Sequence, residues 1–149
     1  MTSKTILLVE DNPSDVELTR RALERSHVVN DLVVAEDGQQ ALDYLFGSGP
    51  YAARDPRELP SLVLLDLKLP KVDGLEVLGR LRADDRTRRV PVVILTSSNE
   101  EGDVASGYDL GVNSYIRKPV DFAQFAAAIQ QLGLYWLLLN EPPPLRARA

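Results

Sequence analysis

Apolar positions along this chain follow two spacings that alternate. Thr5 to Val9, Asp31 to Ala35, Ser61 to Leu65, Val90 to Leu95 and Ser114 to Ile116 are short runs rich in Val, Ile and Leu. Three of them are almost continuously apolar, which suits strands covered on both faces of a parallel sheet. Between them lie longer stretches with helical spacing. Asn12 can cap, Pro13 fits a first helical position and Asp15 favours a first turn, so a helix is predicted there with Val16 and Leu23 inward. A second helix is predicted from Gln39 to Phe46 and a third after Gly74, with Leu75, Val77, Leu78 and Leu81 facing in. A fourth, weakened by Gly102 and Gly107, runs from Glu100 to Asp109. The last follows Asp121 and sets Phe122, Phe125, Ala126 and Ile129 on one stripe. Gly47 to Pro60, rich in Gly and Pro, reads as a long loop. The alternation implies right-handed crossovers and a doubly wound α/β fold, a five-stranded parallel sheet with helices on both faces. Residues 1–140 are read as one domain and 141–149 as a short, flexible Pro/Arg tail.

Composition narrows the classes. Within 149 residues, 44% are hydrophobic and 26% charged, the balance of a globular domain. No apolar run approaches the length of a membrane span, and Met1 to Thr5 lacks the features of a signal peptide, so a cytoplasmic location is expected. The absence of cysteine excludes disulfides and thiolate metal sites. A net charge of −5 argues against a nucleic-acid surface. Arg80, Arg82, Arg86, Arg88 and Arg89 interleave with Asp84 and Asp85, as at a solvated helix end. His27, the single histidine, has no partners for a metal site or a triad.

Functional groups of an open parallel sheet gather beyond the carboxyl ends of its strands. The first predicted strand runs into Glu10 and Asp11, the third into Asp66, the fourth into Thr96, and the fifth leads to Lys118-Pro119. Each residue alone has an ordinary structural explanation: a solvated acidic pair, a turn, a cap, a surface charge. Their coincidence at five ordered strand ends is the signal. Converging carboxylates need a cation, and oxygen donors without Cys or His favour a hard ion such as Mg²⁺. An aspartate, a metal, a hydroxyl and an ammonium together suit phosphoryl transfer to Asp66.

These segments carry a resemblance. Ile6-Leu7-Leu8-Val9-Glu10-Asp11-Asn12, Leu64-Leu65-Asp66-Leu67, Leu69-Pro70 with Asp73-Gly74, Ile94-Leu95-Thr96-Ser97 and Tyr115-Ile116-Arg117-Lys118-Pro119 resemble the receiver domains of two-component response regulators, in family order, to about Leu132. The resemblance implies a flavodoxin-like sheet of strand order 2-1-3-4-5. It implies Mg²⁺ held by Glu10, Asp11, Asp66 and the backbone carbonyl of Lys68, and phosphorylation of Asp66 by a sensor histidine kinase. Thr96, with Ser97, and Lys118 would contact the phosphoryl group, Tyr115 would turn inward, and the Lys118–Pro119 peptide would be cis. Lys68 departs from the shorter polar residue of many members and is expected to alter the phosphoryl lifetime. The Gly47 to Pro60 loop and the extended end Leu134 to Asn140 narrow the resemblance to regulators paired with bacterial and cyanobacterial phytochromes.

A phosphohydrolase of the aspartyl-phosphate type needs a second aspartate two residues on, where Lys68 stands, so no turnover enzyme is expected. A phosphorylation-independent binding module and a phosphate sink or relay remain alternatives. With no output domain read after the last helix, the chain is taken as a stand-alone regulator. Leu134, Tyr135, Trp136, Leu137 and Leu138 exceed one inward stripe, so some should face solvent and form a homodimer interface.

Overall fold

The computed structural model describes residues 4–25, 30–97, 101–118 and 121–144, the side chains of Glu101 and Phe122 excepted. Five strands form one parallel sheet: β1 (Lys4–Val9), β2 (Asn30–Ala35), β3 (Leu62–Leu65), β4 (Val92–Thr96) and β5 (Ser114–Arg117), in the order β2-β1-β3-β4-β5. Among the described residues, five α-helices connect and follow them: α1 (Pro13–Arg25), α2 (Gly38–Phe46), α3 (Gly74–Ala83), α4 (Glu101–Asp109) and α5 (Phe122–Leu134). This is the doubly wound arrangement that the alternating pattern predicts, in the flavodoxin-like order that the family resemblance implies. No helix among the described residues is long and apolar enough to cross a membrane.

Successive strand residues point to opposite faces, so one sheet feeds two cores. Leu7, Val9, Val63, Leu65, Val92 and Ile94 pack with Leu42 and Leu45 of α2 and Val77, Leu78 and Leu81 of α3. Ile6, Leu8, Leu62, Leu64, Val93 and Leu95 pack with Leu23 of α1 and Phe125 and Ile129 of α5. Every residue of β3 and β4 is buried, which is why those runs lack polar alternation.

The caps are side chains the sequence supplies. Asn12 Oδ1 accepts from Ser14 N and Asp15 N at 2.9 and 3.2 Å, and Asp121 accepts from Gln124 N at 3.1 Å. Asp37 and Asp73 cap α2 and α3 in the same way. Gly47 closes α2 in the left-handed conformation, φ 65°.

Several boundaries differ from expectation. β4 begins at Val92 because Val90 belongs to a turn, its N–H donating to Thr87 O, and Pro91 has no N–H for the ladder. The loop from Gly47 to Pro60 is internally tied: a 3₁₀ turn spans Gly49–Tyr51, and the Arg54 guanidinium lies 4.1 Å over the Tyr44 ring while donating to the carbonyls of Tyr44 and Glu58. Arg82 is not a solvated helix-end charge. It donates to the carbonyls of Gly111, Arg88 and Val90 and to Asn113 Oδ1, stitching α3 to the segments entering β4 and β5.

The chain continues past α5 as a π-helical turn, Tyr135–Leu139. The wider turn rotates Leu137 inward, where it is 1% exposed and joins the core beneath α1 and α5. Leu137 is therefore not an outward interface residue, correcting that expectation. Trp136 is half-buried against the same core, while Leu134, Tyr135, Leu138 and Leu139 face solvent.

Candidate functional site

Register alone brings the strand ends together. Val9 is paired with Leu65, so Glu10 and Asp66 leave adjacent strands side by side, and Asp66 N donates to Val9 O at 3.1 Å. Thr96 is paired with Arg117, and Lys118 N donates to Thr96 O at 2.7 Å. A slip of one residue on any strand would turn these side chains to the other face.

Glu10 and Asp66 are buried, at 3% and 8% exposure, while Asp11 is open to solvent. Each of the three offers an oxygen, and these oxygens lie within 4.8 Å of one another. Asp66 Oδ1 accepts from the Thr96 hydroxyl and from Leu67 N, both at 2.7 Å. The Lys118 ammonium donates to Glu10 Oε1 at 2.5 Å, Asp15 Oδ2 at 2.8 Å and Asp66 Oδ2 at 3.1 Å. Burial pushes the Glu10 carboxyl up to about 7, and the charge on Asp66 adds to this; the hydrogen bond and charge of Lys118 oppose it without cancelling it. Burial alone would lower the Lys118 ammonium, but its bonds to Asp15 and Glu10 and the charge of Asp66 outweigh that and raise it, so Lys118 stays charged.

The loop from Leu67 to Asp73 walls one side. Gly74 makes this possible, since a Cβ there would lie 2.2 Å from Asp66 O and 2.7 Å from Leu67 Cα. Leu67 O accepts from Leu69 N and Gly74 N, whereas among the described residues no N–H donates to Lys68 O. Beside the loop lies an open cavity of about 430 Å³, bounded by Asp11, Lys68, Leu75 and Asp103 among others. The donor set of three carboxylates with oxygens this close fits a hard divalent cation.

The remaining expected residues spread outward. The Lys68 side chain is 69% exposed and its ammonium turns to Asp103 on α4, 4.0 Å away, rather than to Asp66. Ser97 is exposed at the rim. Tyr115 is half-buried and its ring packs over Gly107 of α4, where a Cβ would come within 3.4 Å of it. Pro119 lies outside the described residues, and with it the Lys118–Pro119 peptide expected to be cis. Two site residues escaped the sequence reading. By sequence Asp15 is a first-turn acid, yet it follows Asp11 by one helical turn and its carboxylate reaches Lys118. Asp103 carried no signal beyond its place on α4.

Comparison with known proteins agrees with this geometry. A phosphorylated cyanobacterial phytochrome response regulator, RcpA, superposes with a TM-score of 0.89 at 40% identity, covering 96% of this chain and all of its own. The Mn²⁺-bound form of a response regulator, Rcp1, gives 0.88 at 37% identity, covering 95% of this chain and 99% of its own. The bacteriophytochrome response regulator AtBRR is 57% identical with a TM-score of 0.74, covering 95% of this chain and all of its own. The model of the response regulator receiver domain matches residues 6–130, from the first buried residues of β1 into α5. With the acidic cluster at the carboxyl edge of a 2-1-3-4-5 sheet, that match establishes that the chain belongs to the response regulator receiver family, whose members are phosphoacceptors and not turnover enzymes.

Proposed function

We propose that this protein is a cytoplasmic two-component response regulator that accepts a phosphoryl group on Asp66 from a sensor histidine kinase of the phytochrome type. The observation that carries the reading is the environment of Asp66. Its carboxylate lies among two further acids, a buried hydroxyl and an ammonium, and its neighbours Asp11 and Leu67 line an open cavity. An Asp66 oxygen attacks phosphorus, the P–N bond to the kinase histidine breaks, and the imidazole departs, leaving an acyl phosphate. Lys118 and Thr96, already bonded to the two oxygens of Asp66, are the groups at hand for the phosphoryl oxygens. Glu10, Asp11, Asp66 and the Lys68 carbonyl would hold Mg²⁺, which supplies charge compensation for the transferring group.

The phytochrome partner is favoured by the likeness to RcpA and AtBRR over nearly the full length of each. Thr96 and Tyr115, on neighbouring strands beside α4, are the elements through which the phosphorylated state would be read. A homodimer through the exposed Leu134, Tyr135, Leu138 and Leu139 completes the proposal.

Incubation with Mg²⁺ and acetyl phosphate, followed by intact-mass measurement, tests the core of this reading. The expected gain is one phosphoryl group, about 80 Da, absent in Asp66→Asn and absent without Mg²⁺. A folded, Mg²⁺-binding protein that gains no mass from acetyl phosphate or a phosphorylated phytochrome kinase would instead be a phosphorylation-independent binding module.

A further inference from the structure

The Lys118 ammonium has three N–H donors and meets three carboxylates: Glu10 at 2.5 Å, Asp15 at 2.8 Å and Asp66 at 3.1 Å. Two of the three belong to the cluster whose oxygens lie within 4.8 Å of one another; Asp15 does not. Asp15 is nevertheless held firmly. Its N–H donates to the Asn12 cap, its carbonyl accepts from the fully buried side of α1 through Thr19 Oγ1 at 2.8 Å, and its side chain is about one-quarter exposed (26%). In this state Lys118 is the counter-charge for Glu10 and Asp66. A divalent cation using those two carboxylates needs the same lone pairs and carries the same sign of charge. Lys118 then loses two of its three partners, and the one left is Asp15.

We propose that Asp15 is a positioning residue that retains the Lys118 ammonium when Glu10 and Asp66 turn to a divalent cation, so that cation binding and Lys118 coexist in one site. This rests on the reading of Glu10, Asp11 and Asp66 as a cation site. Without Asp15, the ammonium has no carboxylate outside the cluster and competes with the cation for those within it. Asp15 therefore favours cation binding through Lys118. A carboxylate acting only by its own charge would favour binding to the same extent whether or not Lys118 were present, and this difference separates the two roles.

The test is calorimetric titration of the full-length protein with Mg²⁺ alone, for the wild type, Asp15→Asn, Lys118→Met and the double variant, with thermal melts to confirm folding. Asp15→Asn is expected to weaken Mg²⁺ binding by about fivefold, the size of a partly buried ion-pair coupling. Asp15→Glu, which keeps the charge, should recover most of that loss. Lys118→Met should bind Mg²⁺ more tightly than the wild type, and adding Asp15→Asn to it should change affinity by less than about twofold. If Asp15→Asn weakens binding equally in both backgrounds, or in neither, Asp15 does not work through Lys118 and the proposal is overturned while the cation site stands. If the wild type binds no Mg²⁺, the cation-site reading itself falls and takes this inference with it.

Discussion

At the scale of single residues, the site shows what sequence conveys and what it omits. Glu10, Asp11, Asp66, Thr96 and Lys118 are legible because each stands at or within two residues of the end of an apolar run, and a strand's end fixes its location without knowledge of neighbours. Asp15 and Asp103 are not legible. Their roles come from partners 103 and 35 residues distant, Lys118 and Lys68, and no local pattern announces a contact between a helix turn and a strand end. Arg82 is a similar case, read as solvated because its charged neighbours are, yet bound to four acceptors across two loops. Glu10 yields a prediction at this scale. Its carboxyl, ordinarily near 4.5, is raised to about 7 mainly by burial. The folded protein thus holds a proton there that the unfolded chain releases, and the stability this contributes is whole below pH 4.5 and is lost as pH rises through about 7. In metal-free buffer, the melting temperature of the wild type should fall across that window, and that of Glu10→Gln should fall less. Parallel pH profiles for the two proteins would contradict it.

At the scale of elements, the two periodicities identify every β-strand and α-helix among the described residues, and the errors concentrate at boundaries and in the non-α turns. Pro91 shifts the start of β4, an effect of one missing donor that a hydrophobicity pattern does not register. The end of α5 is the more instructive error. Seven large residues from Leu132 to Leu139 overfill an α-helical stripe, which suggests an outward surface for the surplus. The π turn changes the angle per residue and carries Leu137 back to the core, and Lys4 Nζ donates to Leu137 O at 2.5 Å. Adjacent leucines therefore differ sharply in role. Leu137→Ala should lower unfolding free energy by about 2–4 kcal/mol through the lost burial and the cavity left behind. Leu138→Ala, at a position 62% exposed, should fall within about 0.5 kcal/mol of the wild type. Urea unfolding of both variants checks this, and equal effects would mean that the π turn does not seat Leu137 in solution.

At the scale of the whole molecule, the question is what the remaining apolar surface faces. Leu134, Tyr135, Leu138 and Leu139 are 45%, 49%, 62% and 69% exposed and lie within six residues, while the Tyr135 ring stands edge-on to Trp136 at 5.0 Å. Leu137 packs this segment onto the core from beneath, and the segment turns the four exposed side chains outward as a ridge. Side chains already held in place by such a contact lose less conformational freedom on association, which lowers the entropic cost of burying them. The same ridge leaves the strand-end site untouched, because α5 covers the face of the sheet that packs against α1 while the acids gather at the edge. Dimerisation and phosphoryl chemistry are thus separable by mutation. Leu138→Glu with Leu139→Glu introduces charge where the monomer already meets water, so the melting temperature of the isolated chain should change little. In sedimentation experiments at high protein concentration, the wild type is expected at twice its 16.5 kDa mass and the double variant at 16.5 kDa, with Mg²⁺ binding equal in both. A wild type that remains at 16.5 kDa with and without phosphorylation would leave the ridge as a docking face for a different protein, and loss of Mg²⁺ binding in the double variant would show that the two ends of the molecule are coupled.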